Sequence, residues 1–461
     1  MKRRTFARNS ILTVAGTTLL PQILSSAPSK MRLAMVGTGI RGITFWGKSV
    51  QDNYKDTMEF VGLCDINPGR VQFAQKYIGV QCLVFTDFEL MVKTTKPDTV
   101  IVTTVDATHH EYIVKALEMG VNVMTEKPMT TDEVKCKAIL DAEKRTGKKV
   151  IVGFNYRYGT LFTAIKEQLA KNVIGETVSV DFNWYLNVYH GADYFRRWHA
   201  YKAKGGTLLV HKSTHHFDLM NWLIDSDPVE VMAYGSLDHY GKNGKYRATH
   251  CRVCNYKNEC KFYNNITNDA MKMDLYVANE KHDGYLRDAC VFREDIDIYD
   301  KMSVQVKYAN GVLLNYSLTT YSPYEGWRLA FNGKEGRLDS TEGIPWENDA
   351  VNQELLHAKE FAQNSAQTQE YYERIYINKN FDKHELIKVP LSKGGHGGGD
   401  ARLHDKIFKN PNSPDPYRHA AGTRDGAMSI LVGIAARKSI EEKRIVKINE
   451  LTDIVLMAKR P

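Results

Sequence analysis

Two short stretches hold the side chains best suited to moving a proton beside a reacting carbon. One is Glu126-Lys127-Pro128; the other is His211-Lys212-Ser213-Thr214-His215-His216-Phe217-Asp218. Oxidising an alcohol needs a base for the hydroxyl proton and a cation for the alkoxide that develops. Imidazole fills the first role near neutral pH. A lysine kept from water beside another positive charge has its pKa pressed down, and it can then donate or share a proton. His215 as base and Lys127 as electrophilic partner are the assignments this chemistry selects. The Lys127–Pro128 bond is a candidate cis peptide, an arrangement that fixes the lysine's direction. His216 points away from His215 and reads as structural or substrate-adjacent. The competing reading of all three histidines is that they cap or pack a helix starting near Thr214, with Phe217, Met220, Leu223 and Ile224 as its buried stripe.

The elements that must position these residues begin at Met31. The run to Val36 is almost wholly apolar, as a strand buried on both faces should be. It enters Gly37-Thr38-Gly39-Ile40-Arg41-Gly42, where Gly37 permits the tight bend, Gly39 lets a pyrophosphate approach the backbone and Gly42 lets the helix sit against the strand. Free N–H groups at the helix start, from Ile40 and Arg41 onward, face the phosphates. A second apolar stretch, Phe60 to Cys64, ends in Asp65, 23 residues past Gly42. A carboxylate there accepts both ribose hydroxyls and repels a 2′-phosphate, so NAD is expected and NADP disfavoured. Arg70 is the nearby cation that could soften the preference. Strands at 99–104, 122–125 and 149–153 alternate with helices at 111–119 and 131–146. That spacing predicts an α/β, doubly wound parallel sheet: a Rossmann domain over 31–152.

Glu126-Lys127-Pro128 and the segment 205–218 resemble the Gfo/Idh/MocA family of sugar-related oxidoreductases. The resemblance covers most of the chain and is weakest in 235–300 and 345–415. It implies that Lys127 sits at a strand end beside the nicotinamide and touches the substrate hydroxyl, with Glu126 on the cofactor side. It also implies that His215 is the proton acceptor; Asp218, three residues on, is taken with Lys212 as a substrate contact. The family's aspartate four residues before that histidine is replaced here by His211, and Lys212 adds an unexpected cation. Since an imidazole cannot lend His215 the basicity of a carboxylate, either the relay is reorganised or the reaction is not a simple alcohol oxidation.

A second domain, 153–461, is predicted as α+β with an open, mainly antiparallel sheet. A helix at 161–169 is followed by strands at 177–182, 229–234, 302–308 and 312–319, the last two joined at Asn310-Gly311, a strong hairpin turn. In the resembling family this sheet covers the cofactor cleft and often mediates oligomerisation, so a homo-oligomer is expected. Between Trp184 and Tyr201 aromatics interleave with Arg197, Trp198 and other donors, a composition that suits the C–H faces and hydroxyls of a sugar. Gly394 to Asp400 carries five glycines with His396 and Asp400 as its polar side chains. Relatives that cleave glycosides with NAD have a similar glycine-histidine segment near the sugar; the alternative is a surface linker.

Four of seven cysteines lie in an insert at 240–295, as Cys251-x2-Cys254-x5-Cys260 and then Cys290 after 29 residues. The spacing fits a structural zinc with four thiolates or, equally, disulfides in an oxidising compartment, with free thiols the lesser alternative. Cys64, Cys82 and Cys136 read as packing residues. Lys2-Arg3-Arg4-Thr5-Phe6, a short apolar run and Ser25-Ser26-Ala27 describe a twin-arginine-type signal over 1–27, and hence a periplasmic protein. The run is too short and interrupted for a membrane span. The net charge of +8 falls to about +4 without the first four basic residues, and no dense basic block remains to bind nucleic acid.

Three functions follow as expectations. The first is an NAD-dependent dehydrogenase acting on a sugar or glycoside hydroxyl, at carbon 3, with a tightly held cofactor. The second is an NAD-dependent glycosidase working through transient oxidation and elimination. The third is a sugar- or NAD-binding protein without catalysis.

Overall fold

Apolar runs that are buried from end to end form the first sheet. The computed structural model describes residues 30–345, 372–392 and 394–461; the expected signal segment lies outside them. Six parallel strands, β1 (Met31–Val36), β2 (Met58–Cys64), β3 (Leu83–Phe85), β4 (Thr99–Val102), β5 (Asn122–Thr125) and β6 (Val150–Val152), pair in the order β3-β2-β1-β4-β5-β6. All four residues of β4 are buried, as a central parallel strand between two helical layers requires. The order reverses between β1 and β4, and the crevice at the carboxyl ends there is where such sheets bind ligands.

The turn after β1 shows why glycine stands there. Gly37 has φ +91, and a Cβ on it would lie 2.6 Å from the Thr103 backbone. A Cβ on Gly42 would lie 2.5 Å from the Gly37 carbonyl oxygen. The helix that follows is wound wide, with π-type turns over Gly42–Ser49.

The second sheet has nine strands: β7 (Thr177–Asn187), β8 (Pro228–Ser236), β9 (Lys301–Tyr308), β10 (Leu313–Ser322), β11 (Gly326–Gly333), β12 (Gly336–Glu342), β13 (Tyr372–Lys379), β14 (His384–Pro390) and β15 (Val446–Lys447). Their order is β14-β13-β12-β11-β7-β10-β9-β8-β15, antiparallel except for β7 beside β10. β9 alternates exposed and buried residues without a break, so one face packs inward and the other is open. The expected hairpin is present: β9 and β10 pair across Asn310-Gly311, with Gly311 at φ +89.

The long helix Thr423–Glu442 is buried along most of its length and ties the two sheets together. A Cβ on Gly426 would touch Met129 and Val152 of the first domain, while Ser429 Oγ bonds Thr214 Oγ1 of the second. Between β8 and β9 lies the cysteine-rich insert, whose Leu275 and Tyr276 are buried in the core of the Rossmann domain.

Candidate active site

Lys127 stands at the end of β5, and the Lys127–Pro128 peptide is cis. Its Nζ donates to the His211 carbonyl at 3.4 Å. Burial presses its pKa down to about 8, against the pull of Glu126 and Asp106. Glu126 is not open to a ligand. Its Oε1 accepts from Arg41 Nε at 2.6 Å and from Trp46 Nε1 at 2.9 Å, and its Oε2 from the Lys127 N–H at 3.2 Å. The sequence placed Glu126 and Arg41 on the cofactor; the structure pairs them with each other, and the Arg41 guanidinium lies 3.6 Å from the Phe45 ring centroid.

Residues 208–224 carry the histidine run, with the helix Ser213–Ile224 buried at every position. The relay is reorganised at His211. Its Nδ1 meets Asp106 Oδ2 at 2.6 Å, both groups buried. Burial first, and then the Lys127 charge, hold the His211 pKa well below its ordinary value. Burial also raises the Asp106 pKa well above its ordinary value, so burial favours the uncharged form of both partners, with the ring held through Nδ1 and Nε2 left outside this contact. The acidic side chain that meets His211 comes from the loop after β4. His199 packs 4.0 Å from His211 and stacks on Trp198, which is partly exposed. Arg197 is paired with Asp193 at 3.0 Å.

One turn on, His215 is buried among Tyr156 (4.8 Å), Phe154 (6.4 Å) and His396 (5.9 Å), measured between ring centroids. Its Nδ1 has no hydrogen-bond partner among the described residues. Burial, with Lys127 next, depresses its pKa strongly, so the imidazole is neutral. An orphaned buried nitrogen costs stability unless something else meets it. His216 meets Tyr316 Oη through Nδ1 at 2.6 Å and stacks on Trp184 at 4.1 Å, a structural role, while its buried Nε2 has no hydrogen-bond partner among the described residues. The Lys212 Nζ lies over Trp184, 4.9 Å from the ring centroid.

Asp218 is corrected: it is no substrate ligand. Both its oxygens are taken by Arg157, at 2.7 and 2.6 Å, and both side chains are 2% exposed. The glycine-rich segment, by contrast, does reach the site. A Cβ on Gly399 would sit 2.2 Å from the Asn155 carbonyl, so only glycine lets the segment lie this close. His396 Nδ1 then lies 3.0 Å from both Asp400 Oδ1 and Asn155 Nδ2.

Of the residues expected to hold the dinucleotide, Gly39 and Asp65 keep places that suit it. Gly39 has no Cβ, and the one atom that would meet one is the Tyr276 hydroxyl, at 3.5 Å. Asp65 is buried at the end of β2, accepting from Thr38 N at 2.7 Å and Asn67 N at 2.9 Å.

Comparison with known proteins now decides the family. Residues 31–154 match the family described as oxidoreductase family, NAD-binding Rossmann fold, and 166–448 match its C-terminal alpha/beta domain. The chain is also 36% identical over 441 residues to YteT of Bacillus subtilis (strain 168), named as an oxidoreductase without a substrate; the match covers 91% of this chain and 98% of that protein. The chain belongs to the Gfo/Idh/MocA oxidoreductase family. A more distant member, inositol 2-dehydrogenase/D-chiro-inositol 3-dehydrogenase of Lactiplantibacillus plantarum, is 26% identical over 42% of this chain and 54% of its own. Among solved structures, levoglucosan dehydrogenase in complex with NADH and levoglucosan shares the fold, with TM-score 0.63 and 16% identity over 91% of this chain and 100% of that one.

Within this Gfo/Idh/MocA chain the cysteine insert departs from expectation. Cys251, Cys254, Cys260 and Cys290 do gather around one small cavity, with Arg196 and His250. All four are free thiols, and among the described residues no group of three or more His, Cys, Asp or Glu is placed to hold a metal ion. The zinc expectation is therefore not met, and the disulfides are absent. Burial pushes the Cys251 and Cys260 thiols up, favouring S–H over thiolate. The cluster is held instead by N–H groups donating to sulfur, from Arg196 and Asn264 to Cys251 and from Phe292 to Cys290.

Sequence reasoning missed Asp106, Tyr156, Asn155 and Tyr276. Asp106 was findable: it follows β4 at the carboxyl edge of the sheet, next to the switch point, where α/β folds place ligand-binding groups.

Proposed function

We propose that this chain is an NAD-dependent dehydrogenase that oxidises a hydroxyl of a sugar or glycoside at carbon 3. The observation that carries it is His215, neutral and buried, with an orphaned Nδ1 under the charge of Lys127. Bound NAD supplies the hydride acceptor. The protein's part is to take the hydroxyl proton on His215 while Lys127 stabilises the developing alkoxide. His211, locked by Asp106, keeps a second neutral base beside the aromatic wall of Trp198 and His199, and Lys212 and His396 complete the rim. Flat rings with directional donors favour a sugar, and the names of the inositol and levoglucosan dehydrogenases agree. Export to the periplasm by segment 1–27 and a homo-oligomer built on the nine-stranded sheet belong to the same reading.

The experiment adds a panel of glucosides, galactosides and N-acetylhexosaminides to the purified protein with NAD. Lasting growth of the reduced-nicotinamide band with keto-sugar formation is expected. A panel with no band at all, from a protein that binds NAD, would overturn the reading.

The second reading is an NAD-dependent glycosidase, favoured by the placement of His396, held by Asp400, beside His215. Oxidation at carbon 3 acidifies the carbon 2 proton, a base removes it, and the glycosidic oxygen leaves with a proton. Water then adds and the hydride returns. Aglycone release with no lasting band selects it.

A further inference from the structure

The insert 240–295 meets the molecule at two ends. Its cysteine end packs on the second domain, but residues 270–285 cross to the mouth of the dinucleotide crevice. There the Tyr276 hydroxyl accepts from the Ile40 N–H at 2.9 Å, so this N–H, expected to face the phosphates, is already taken. Asn67 Nδ2 donates to the Asn279 carbonyl at 2.9 Å. The approach is so close that a Cβ on Gly69 would fall 1.7 Å from Asn279 Oδ1. Asp283 Oδ2 lies 2.5 Å from Arg70, whose other nitrogen reaches Asp65 at 3.1 Å. Leu275 and Tyr276 are buried with Rossmann residues, and Tyr285 packs beside them.

We propose that 270–285 is a clasp completing the adenosine and pyrophosphate side of the cofactor site, with Tyr276 slowing cofactor release and Asp283 enforcing the choice of NAD over NADP. The proposal rests on the N-terminal domain binding a nicotinamide dinucleotide. Its logic is electrostatic and geometric. Arg70 is the cation near Asp65 able to pair with a 2′-phosphate, in the bidentate manner guanidinium favours. Asp65 and Asp283 together occupy it and leave the cluster with net negative charge, so a 2′-phosphate meets repulsion where it would need a partner. Tyr276 accepts the hydrogen bond from Ile40 and keeps its own O–H to donate, so its hydroxyl takes the place of that N–H as the donor facing a pyrophosphate oxygen. A dinucleotide lying on Gly39 would be covered by this ring, and leaving would require the clasp to lift.

The test uses the full purified chain and two readouts besides turnover: NAD and NADP affinities by titration calorimetry, and the release rate of bound NAD after dilution. In Asp283→Asn the preference for NAD is expected to fall by about tenfold or more, mainly through tighter NADP. Adding Arg70→Gln to that variant should return NADP to its weak wild-type affinity, because the freed cation is gone. In Tyr276→Phe, which keeps the packing and loses the hydroxyl, NAD release should speed up by about tenfold. An unchanged NAD-to-NADP ratio in Asp283→Asn together with unchanged release in Tyr276→Phe would overturn the clasp. Wild-type protein that binds neither nucleotide would overturn the dinucleotide reading itself, a separate outcome. Should Asp283→Asn lose its fold, Arg70→Gln alone still decides: it leaves Asp65 and Asp283 unscreened, so NADP affinity should fall by about threefold or more relative to NAD, and no change or a rise would overturn the role of Asp283.

Discussion

His215 and Asp218 lie on one helix, three residues apart and both buried, yet their surroundings differ completely. Asp218 belongs to a saturated network: Arg157 grips both its oxygens and also meets Asp425 at 2.9 Å, while Arg460 meets Asp425 at 2.7 Å. His215 Nδ1 meets nothing among the described residues, and aromatic rings and positive charge surround it. Two buried polar groups with the same local sequence signal therefore do different work. A paired buried charge holds the second domain to the last helix, while an unpaired buried base is a cost that a substrate can relieve.

The largest effect that would break this contrast lies at Lys127. Lys127→Met is expected to lower the rate of bound-cofactor reduction by about 10³-fold while NAD affinity stays within a few-fold, as stopped-flow and calorimetry would read. Next is the saturated network itself. Asp218→Ala strands Arg157 with half its partners and should cost about 3 kcal/mol in denaturant unfolding, with the turnover of the folded fraction nearly unchanged. Asp106→Asn sharpens the comparison from the His211 side. By changing the acidic group that holds the His211 ring through Nδ1 it should slow reduction by about 10- to 100-fold with little change in unfolding midpoint.

The smallest effect concerns pH. The folded-state pKa of Lys127 is pressed from 10.5 down to about 8 by burial. Below about 8 both folded and unfolded chains carry the proton, so the penalty for burying the charge is constant. Between about 8 and 10.5 the unfolded chain keeps a proton that the folded chain has released, and stability rises with pH. Lys127→Met should thus be more stable than wild type at pH 7 by on the order of 2 kcal/mol, allowing for residual solvent contact. The gap should close toward pH 10.5, measured by chemical unfolding across the range. A gap that widens with pH would contradict the assignment.

The contrast also explains how much could be read from sequence. The Rossmann half was legible because buried parallel strands are apolar throughout and because Gly37 and Gly42 stand where any Cβ would collide with backbone. His215, Lys127 and His396 were legible as chemistry and are brought together. Asp218 was misread because its partner, Arg157, is 61 residues away and carries no local signal. Asp106 meets His211 across 105 residues, and Tyr276 meets Ile40 across 236, pairings that only the tertiary fold creates. The cysteines misled for a related reason: spacing suggested a tetrahedral ligand set, while the fold leaves four free cysteines around a small cavity, with burial raising the Cys251 and Cys260 thiols.

The central claim is that the orphaned histidine does chemistry and the paired aspartate does not. Rapid mixing of NAD-loaded wild type, His215→Asn and Asp218→Asn with the glycoside that reduces the cofactor tests it directly. The account predicts that His215→Asn slows formation of the reduced-nicotinamide band by at least about 100-fold with an unchanged melting temperature, while Asp218→Asn melts earlier and reduces its cofactor at nearly the wild-type rate. The reverse pattern, a fast His215→Asn and a slow but stable Asp218→Asn, would contradict it.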